Sequence, residues 1–259
     1  MKIKLGLFLI TLALGWSSTT PESKKVETRS LYSYFDQKKG ELVLKGSAEI
    51  HRDGISLYAN EIFFHESKKE AFATGLVRLE MDQITLNSGQ IRVYLKGNQS
   101  FSALQENDAV VIAQKHPRLI EKVKGTGAVN EITAVEIKFY KGDEKIEAFE
   151  NVKLVQGGAR DEKPTVITGD YLEYNHLQGK ALIKNKVEIT SPGMGGRGDR
   201  LIYYRKDEKF YLIGNAVIFE LSEQGQKVNE VKSEKILHLI REKRTIQMGD
   251  VEGVIRVSP

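Results

Sequence analysis

The stretch Ala71-Phe72-Ala73-Thr74-Gly75-Leu76-Val77-Arg78-Leu79 sets apolar residues at alternate positions, Ala71, Ala73, Val77 and Leu79, around a central glycine. Alternation of this kind predicts a β-strand whose odd positions share one buried face. The pattern returns in Leu42, Leu44, Gly46, Ala48 and Ile50, and in Ile146, Ala148, Glu150, Val152 and Leu154. It returns again in Ala181, Ile183, Asn185, Val187 and Ile189, and in Tyr211, Ile213, Asn215, Val217 and Phe219. The central positions 46, 75, 150, 185 and 215 lie 29, 75, 35 and 30 residues apart. A degenerate copy centred on Asp108, with Leu104, Val110 and Ile112, divides the long gap into 33 and 42, and a weak one near Gly249 adds a further 34. Seven copies at a period of about 33 predict a repeat protein of stacked strands, all-β with about 14 to 16 antiparallel strands.

A second unit lies between the first. Tyr58-Ala59-Asn60-Glu61-Ile62-Phe63-Phe64 and Thr168-Gly169-Asp170-Tyr171-Leu172-Glu173-Tyr174 each run from small or polar residues to an apolar position, and Ile62, Ile91, Ile137, Leu172, Leu201 and Ile236 mark six such units. Charged runs such as His65–Glu70 and Arg205–Lys209 separate the units and suit hairpin turns. The stretch from Val231 to Ile240 has some helical character, and its place in the repeat favours a strand.

Each long strand has Gly, Asp, Glu or Asn in the middle of its apolar row, types that tolerate bends and bulges. The expectation is a strand folded across a corner there. Stacked bent strands give two facing sheets with an apolar trough between them. A closed β-sandwich with the same alternation is equally consistent with the periodicity.

Composition excludes several classes. The chain has 39 basic and 35 acidic residues, a net charge of +4, which gives little support for nucleic-acid binding. Lys2 and Lys4 precede an apolar run from Leu5 to Leu14 and then small residues at Gly15, Ser17 and Ser18, the pattern of a secretory signal peptide over residues 1–18. The run is too short to span a bilayer as a helix, and an uncleaved inner-membrane anchor is the alternative. Residues 19–39 read as a polar, flexible leader and residues 40–257 as one domain. The chain has no cysteine, so neither an N-terminal lipid on cysteine nor a disulfide enters the account.

The alternating recurrence of units like Tyr58–Phe64 and Thr168–Tyr174 with units like Ala73-Thr74-Gly75-Leu76-Val77-Arg78-Leu79 and Ile213-Gly214-Asn215-Ala216-Val217-Ile218-Phe219, behind a signal peptide, resembles the OstA-like (LptA) family over roughly residues 40–257. Residues 96–130 depart from it with a blurred copy and an insertion, Gln114 to Lys122. The resemblance implies a twisted, slightly open β-jellyroll in the periplasm that shelters the acyl chains of lipopolysaccharide and passes them passively toward the outer membrane. It implies as partners an inner-membrane ABC transporter complex and an outer-membrane assembly protein, joined by pairing of edge strands, with head-to-tail self-association by the same means. On this reading the groove is lined by Ile62, Phe64, Val77, Leu79, Met81, Ile91, Val93, Ile137, Phe139, Val152, Leu154, Leu172, Tyr174, Val187, Ile189, Leu201, Tyr203, Val217 and Phe219. Burying about a dozen methylenes in such a groove would gain roughly 10 kcal/mol before losses.

Readings from other classes find less support. The histidines His51, His65, His116, His176 and His238 have no metal-ligand spacing, and each reads as a surface residue. Acidic pairs such as Asp143-Glu144 fall in turn-like stretches and read as solvated charges. Pro192–Asp199 is glycine-rich but lacks the Gly-Lys-Ser/Thr ending of a phosphate loop and leads into a strand, so no enzyme, metal or cofactor is expected. A secreted β-solenoid adhesin or carbohydrate-binding scaffold is the rival, and it needs open aromatic rows, whereas the tyrosines read as belonging to the apolar rows.

Overall fold

The computed structural model describes residues 27–52, 54–81, 83–95, 109–122, 129–157, 164–222, 225–242 and 244–254. The expected signal peptide, and Leu104 and Asp108 of the degenerate copy, lie outside them. All regular structure in the described residues is antiparallel strand. In chain order the strands are β1 (Glu27–Arg29), β2 (Tyr32–Asp36), β3 (Glu41–Arg52), β4 (Ile55–His65), β5 (Glu70–Met81) and β6 (Ile84–Tyr94). Four short strands follow, β7 (Val110–Gln114), β8 (Arg118–Lys122), β9 (Val129–Thr133) and β10 (Glu136–Tyr140). The series ends with β11 (Lys145–Gln156), β12 (Thr165–Asn175), β13 (Lys180–Ser191), β14 (Met194–Tyr204), β15 (Lys209–Leu221), β16 (Lys227–Leu239) and β17 (Arg244–Val254).

The short strands act in pairs. β2 and β1 pair with the two halves of β3, β7 and β8 with the two halves of β6, and β10 and β9 with the two halves of β11. Counting each such pair as one ribbon leaves fourteen bent ribbons among the described residues, in line with the periodicity. Each ribbon hydrogen-bonds to its chain neighbours, so one continuous sheet runs from end to end and is folded lengthwise along a line of corners.

The corners are consecutive residues in the left-handed region: Gly46-Ser47, Gly75-Leu76, Lys115-His116, Glu150-Asn151, Asn185-Lys186 and Gly214-Asn215, with φ between +47° and +78°. Beside these pairs the ladder skips, as between Thr74/Val77 and Lys184/Val187, and then resumes on the other half of the sheet. Glycine removes the steric cost at several of them. At Gly75 it is also required by contact, since a Cβ there would stand 2.7 Å from Asn60 Nδ2. The bends expected at 46, 75, 150 and 185 are therefore present.

Four expectations need correction. Gln114–Lys122 is no insertion but a corner, Lys115-His116, followed by the second limb of a regular ribbon, whereas Asp108 lies outside the described residues. On β15 the first left-handed residue is Gly214 rather than Asn215, which moves the inward row by one residue. Phe210, Leu212, Ala216 and Ile218 join the core, and Val217 and Phe219 stand on the outer row, opposite Arg197 and Gly195. A one-residue slip in a strand exchanges its faces, and here two polar-looking residues share one corner. Part of the leader, within residues 27–36, forms β1 and β2, which hydrogen-bond to the two halves of β3. The tyrosines are not confined to the apolar rows either: Tyr58, Tyr171 and Tyr211 lie on outer rows, under Arg78, Lys184 and Lys235.

Gly75→Val should lower unfolding free energy by about 1–3 kcal/mol, because a β-branched residue would hold a left-handed φ against Asn60. Chemical denaturation with the slope unchanged is the measurement that checks it.

Candidate functional site

The inner faces of the folded sheet meet in one apolar core. Ile62, Ile91, Ile137, Leu172, Leu201 and Ile236, the six positions that recur in the second sequence unit, are each no more than 1% exposed. They follow a change of parity: on β4 the inward residues are Leu57 and Ala59 before the corner, then Ile62 and Phe64 after it. Of the expected groove residues, Ile62, Val77, Leu79, Ile91, Ile137, Phe139, Val152, Leu154, Leu172, Val187, Ile189 and Leu201 are buried on this inner face. Phe64, Met81, Val93, Tyr174 and Tyr203 are partly buried against it.

Toward the C-terminal end the two halves line a cavity of about 740 Å³ that is open on one side. Its apolar wall comes from Ile167, Ile189, Met194, Leu201, Phe210, Ile218 and Val231, with Tyr203, His238 and Ile240 beside them. Polar side chains, among them Gln156, Thr165, Asn229 and Gln247, also line it. Ile189, Leu201, Tyr203 and Phe219 are the only cavity residues on the expected list; Phe219 touches the cavity beside Pro192, Gly193 and Leu221 despite its outer-row place. Ile167, Phe210 and Ile218 were missed, the last two through the one-residue slip on β15. Ile167 carried a readable signal, an apolar residue two before Gly169, as Leu57 stands two before Ala59.

His238 is not a surface residue. It lines the cavity half-buried, its ring 5.2 Å from that of Phe210 and its Nδ1 3.0 Å from Thr245 Oγ1. Burial pushes its imidazole below the ordinary histidine value.

Polar groups cross between the two halves next to the cavity. Glu121 points inward from β8 at a position where β5 has Met81, and it is only 7% exposed. It accepts a hydrogen bond from Asn130 at 2.9 Å, and its other oxygen lies 3.0 Å from His176 Nδ1, in the turn after β12 on the opposite half. Arg205 donates to the Tyr174 hydroxyl at 3.4 Å. Burial raises the Tyr174 phenol, aided by the Glu121 charge and opposed by Arg205. Burial likewise raises Tyr203, against the pull of Arg205 and of a hydrogen bond with Gln156, which comes from the other half.

The outer face is built differently. Tyr140 donates to Glu147 at 2.7 Å and Lys145 reaches the same carboxylate at 3.1 Å. Burial disfavours ionised Glu147, but these hydrogen bonds prevail and hold its carboxyl below the usual range. Lys138 covers Phe149 at 4.7 Å, Lys184 covers Tyr171 at 5.2 Å and Arg78 covers Tyr58 at 4.5 Å. Rings capped by cations offer no open platform for stacking a sugar. The inner cavity is therefore the better candidate site.

A family model described as LptA/(LptD N-terminal domain) LPS transport protein matches residues 59–244. No curated protein sequence matches the chain. Among solved structures the chain is similar to that of LptH, described as the LptA homologous periplasmic component of the conserved lipopolysaccharide transport device from Pseudomonas aeruginosa. The identity is 10% and the TM-score 0.35, over 64% of this chain and 94% of that one.

His238 gives a pH dependence with a definite sign. Its folded-state value lies below the unfolded one of about 6.5, so its neutral form stabilises the fold above that pH, and the contribution is lost as pH falls through the folded value. The melting temperature should drop as pH falls below about 6.5, and His238→Gln should flatten part of that drop.

Proposed function

The chain belongs to the LptA/LptD N-terminal domain family of LPS transport proteins, and on that premise we propose that it holds the acyl chains of lipopolysaccharide between the two halves of its folded sheet, in the periplasm, and hands them on passively toward the outer membrane. The supporting observation is the cavity of about 740 Å³ with an apolar wall from both halves. Such a wall gains roughly 0.8 kcal/mol for each methylene it removes from water and needs no directional contact, so a chain can slide along it. Transport proteins, not enzymes, define the family. Energy for movement comes from elsewhere, which agrees with the absence of any nucleotide motif in the sequence.

Docking at the two ends completes the proposal. Among the described strands β17 hydrogen-bonds only to β16, and β1 and β2 only to β3. Each end strand thus presents an edge to which a strand of another chain can add. Apolar side chains stand exposed there, Tyr32 and Tyr34 at one end and Met248 and Val251 at the other. These edges are where the inner-membrane transporter complex, the outer-membrane assembly protein or a second copy would join.

Purified chain incubated with labelled lipopolysaccharide should co-elute with it, and Met194→Glu, which puts a charge on the cavity wall, should weaken binding about tenfold or more. A chain that takes up no lipopolysaccharide and binds a soluble glycan instead would overturn the proposal.

A further inference from the structure

The inner face is not uniform along the stack. Two residues before the small inward residue at each corner, the second-unit ribbons carry Leu57, Leu86, Ile132, Ile167 and Val231, but β14 carries Gly196. Gly196 pairs with Ile189 on one side and Ile218 on the other, and both line the cavity. A Cβ at Gly196 would stand 3.0 Å from the Val217 carbonyl oxygen and 3.4 and 3.6 Å from the Ile218 and Leu212 side chains, so a larger side chain there would press on Ile218 of the cavity wall. Gly196 thus sets no branched side chain between two residues that line the cavity.

On the N-terminal side the halves are tied across their open edge. Glu121 lies 3.0 Å from His176, on the opposite half. Gln156 and Tyr203, also from opposite halves, line the cavity on this side. Beyond them Leu86, Ile91, Leu119 and Ile137 are buried by the protein's own atoms.

We infer that acyl chains are held at one place rather than along the whole trough: the C-terminal cavity beside Gly196, bounded on its N-terminal side by Gln156 and Tyr203 and by the Glu121–His176 contact that joins the halves. This rests on the lipid-groove reading and narrows it. A volume of about 740 Å³ falls within the roughly 300–1,000 Å³ of pockets for single small ligands, so the site takes part of the tails of one lipid at a time.

A photo-crosslinking amino acid placed at Val228, on the cavity wall, or at Val93, inward but beyond the tie, separates the possibilities when the full chain is irradiated with lipopolysaccharide. The inference requires an adduct at Val228 about tenfold stronger than at Val93. It also requires that Gly196→Leu reduce the Val228 adduct to a similar degree. Val231→Phe, which fills the same space from β16 without touching the glycine, must do likewise, and circular dichroism would show both variants folded. Equal adducts at the two positions, or an undiminished adduct in folded Gly196→Leu and Val231→Phe, would overturn the single-site inference while keeping the groove. No adduct at either position would overturn the groove reading itself, and the inference with it.

Discussion

An extended ribbon that must turn a corner without giving up its neighbours is the constraint on which this molecule rests. A plain bend would strand backbone N–H and C=O groups in a place shielded from water, at a cost comparable to several hydrogen bonds. The solution is two successive left-handed residues on one ribbon and a skipped pairing on the next, after which the ladder resumes. Non-glycine residues such as Glu150 and Lys186 accept the conformation at roughly 1–2 kcal/mol each, a strain that the resumed ladder and the core offset. Because neighbouring ribbons turn at the same level, the corners align, and aligned corners are what bring two apolar faces together.

With the faces together, the interior takes its character from what little is polar in it. Most inward side chains are aliphatic and fix neither the spacing nor the angle of the halves. Glu121 with Asn130 and His176 is directional, and its contact with His176 links the two halves at a set separation. The outer face follows another logic: lysines and arginines lie over aromatic rings and ion-pair with carboxylates, which shields a broad sheet from adding to its neighbours face to face.

How much of this was readable in the sequence depends on which residues occupy the corners. Gly46, Gly75, Glu150 and Asn185 interrupt clean apolar rows, and their bends could be placed to the residue. Lys115-His116 adopts the same conformation with no compositional mark, so Gln114–Lys122 reads as an insertion instead of a corner. At Gly214-Asn215 both residues are ordinary corner types, and choosing the second turned Val217 and Phe219 inward when Ala216 and Ile218 are the ones in the core. The parity change on the second-unit ribbons hid Ile167 for a related reason, since alternation fails across the corner. Beside the cavity stands Gly196, where the informative fact is a side chain that is missing, and periodicity reads only those that are present.

The aligned corners also make the molecule a ruler. Its cross-section is set by one ribbon, and its length by how many are stacked, at about 4.8 Å apiece. Fourteen ribbons measure roughly 60 Å from edge to edge before twist is allowed for. Each added hairpin would extend that span by about 10 Å and leave every existing contact in place, so chains of this architecture can be lengthened or shortened simply by gaining or losing repeats.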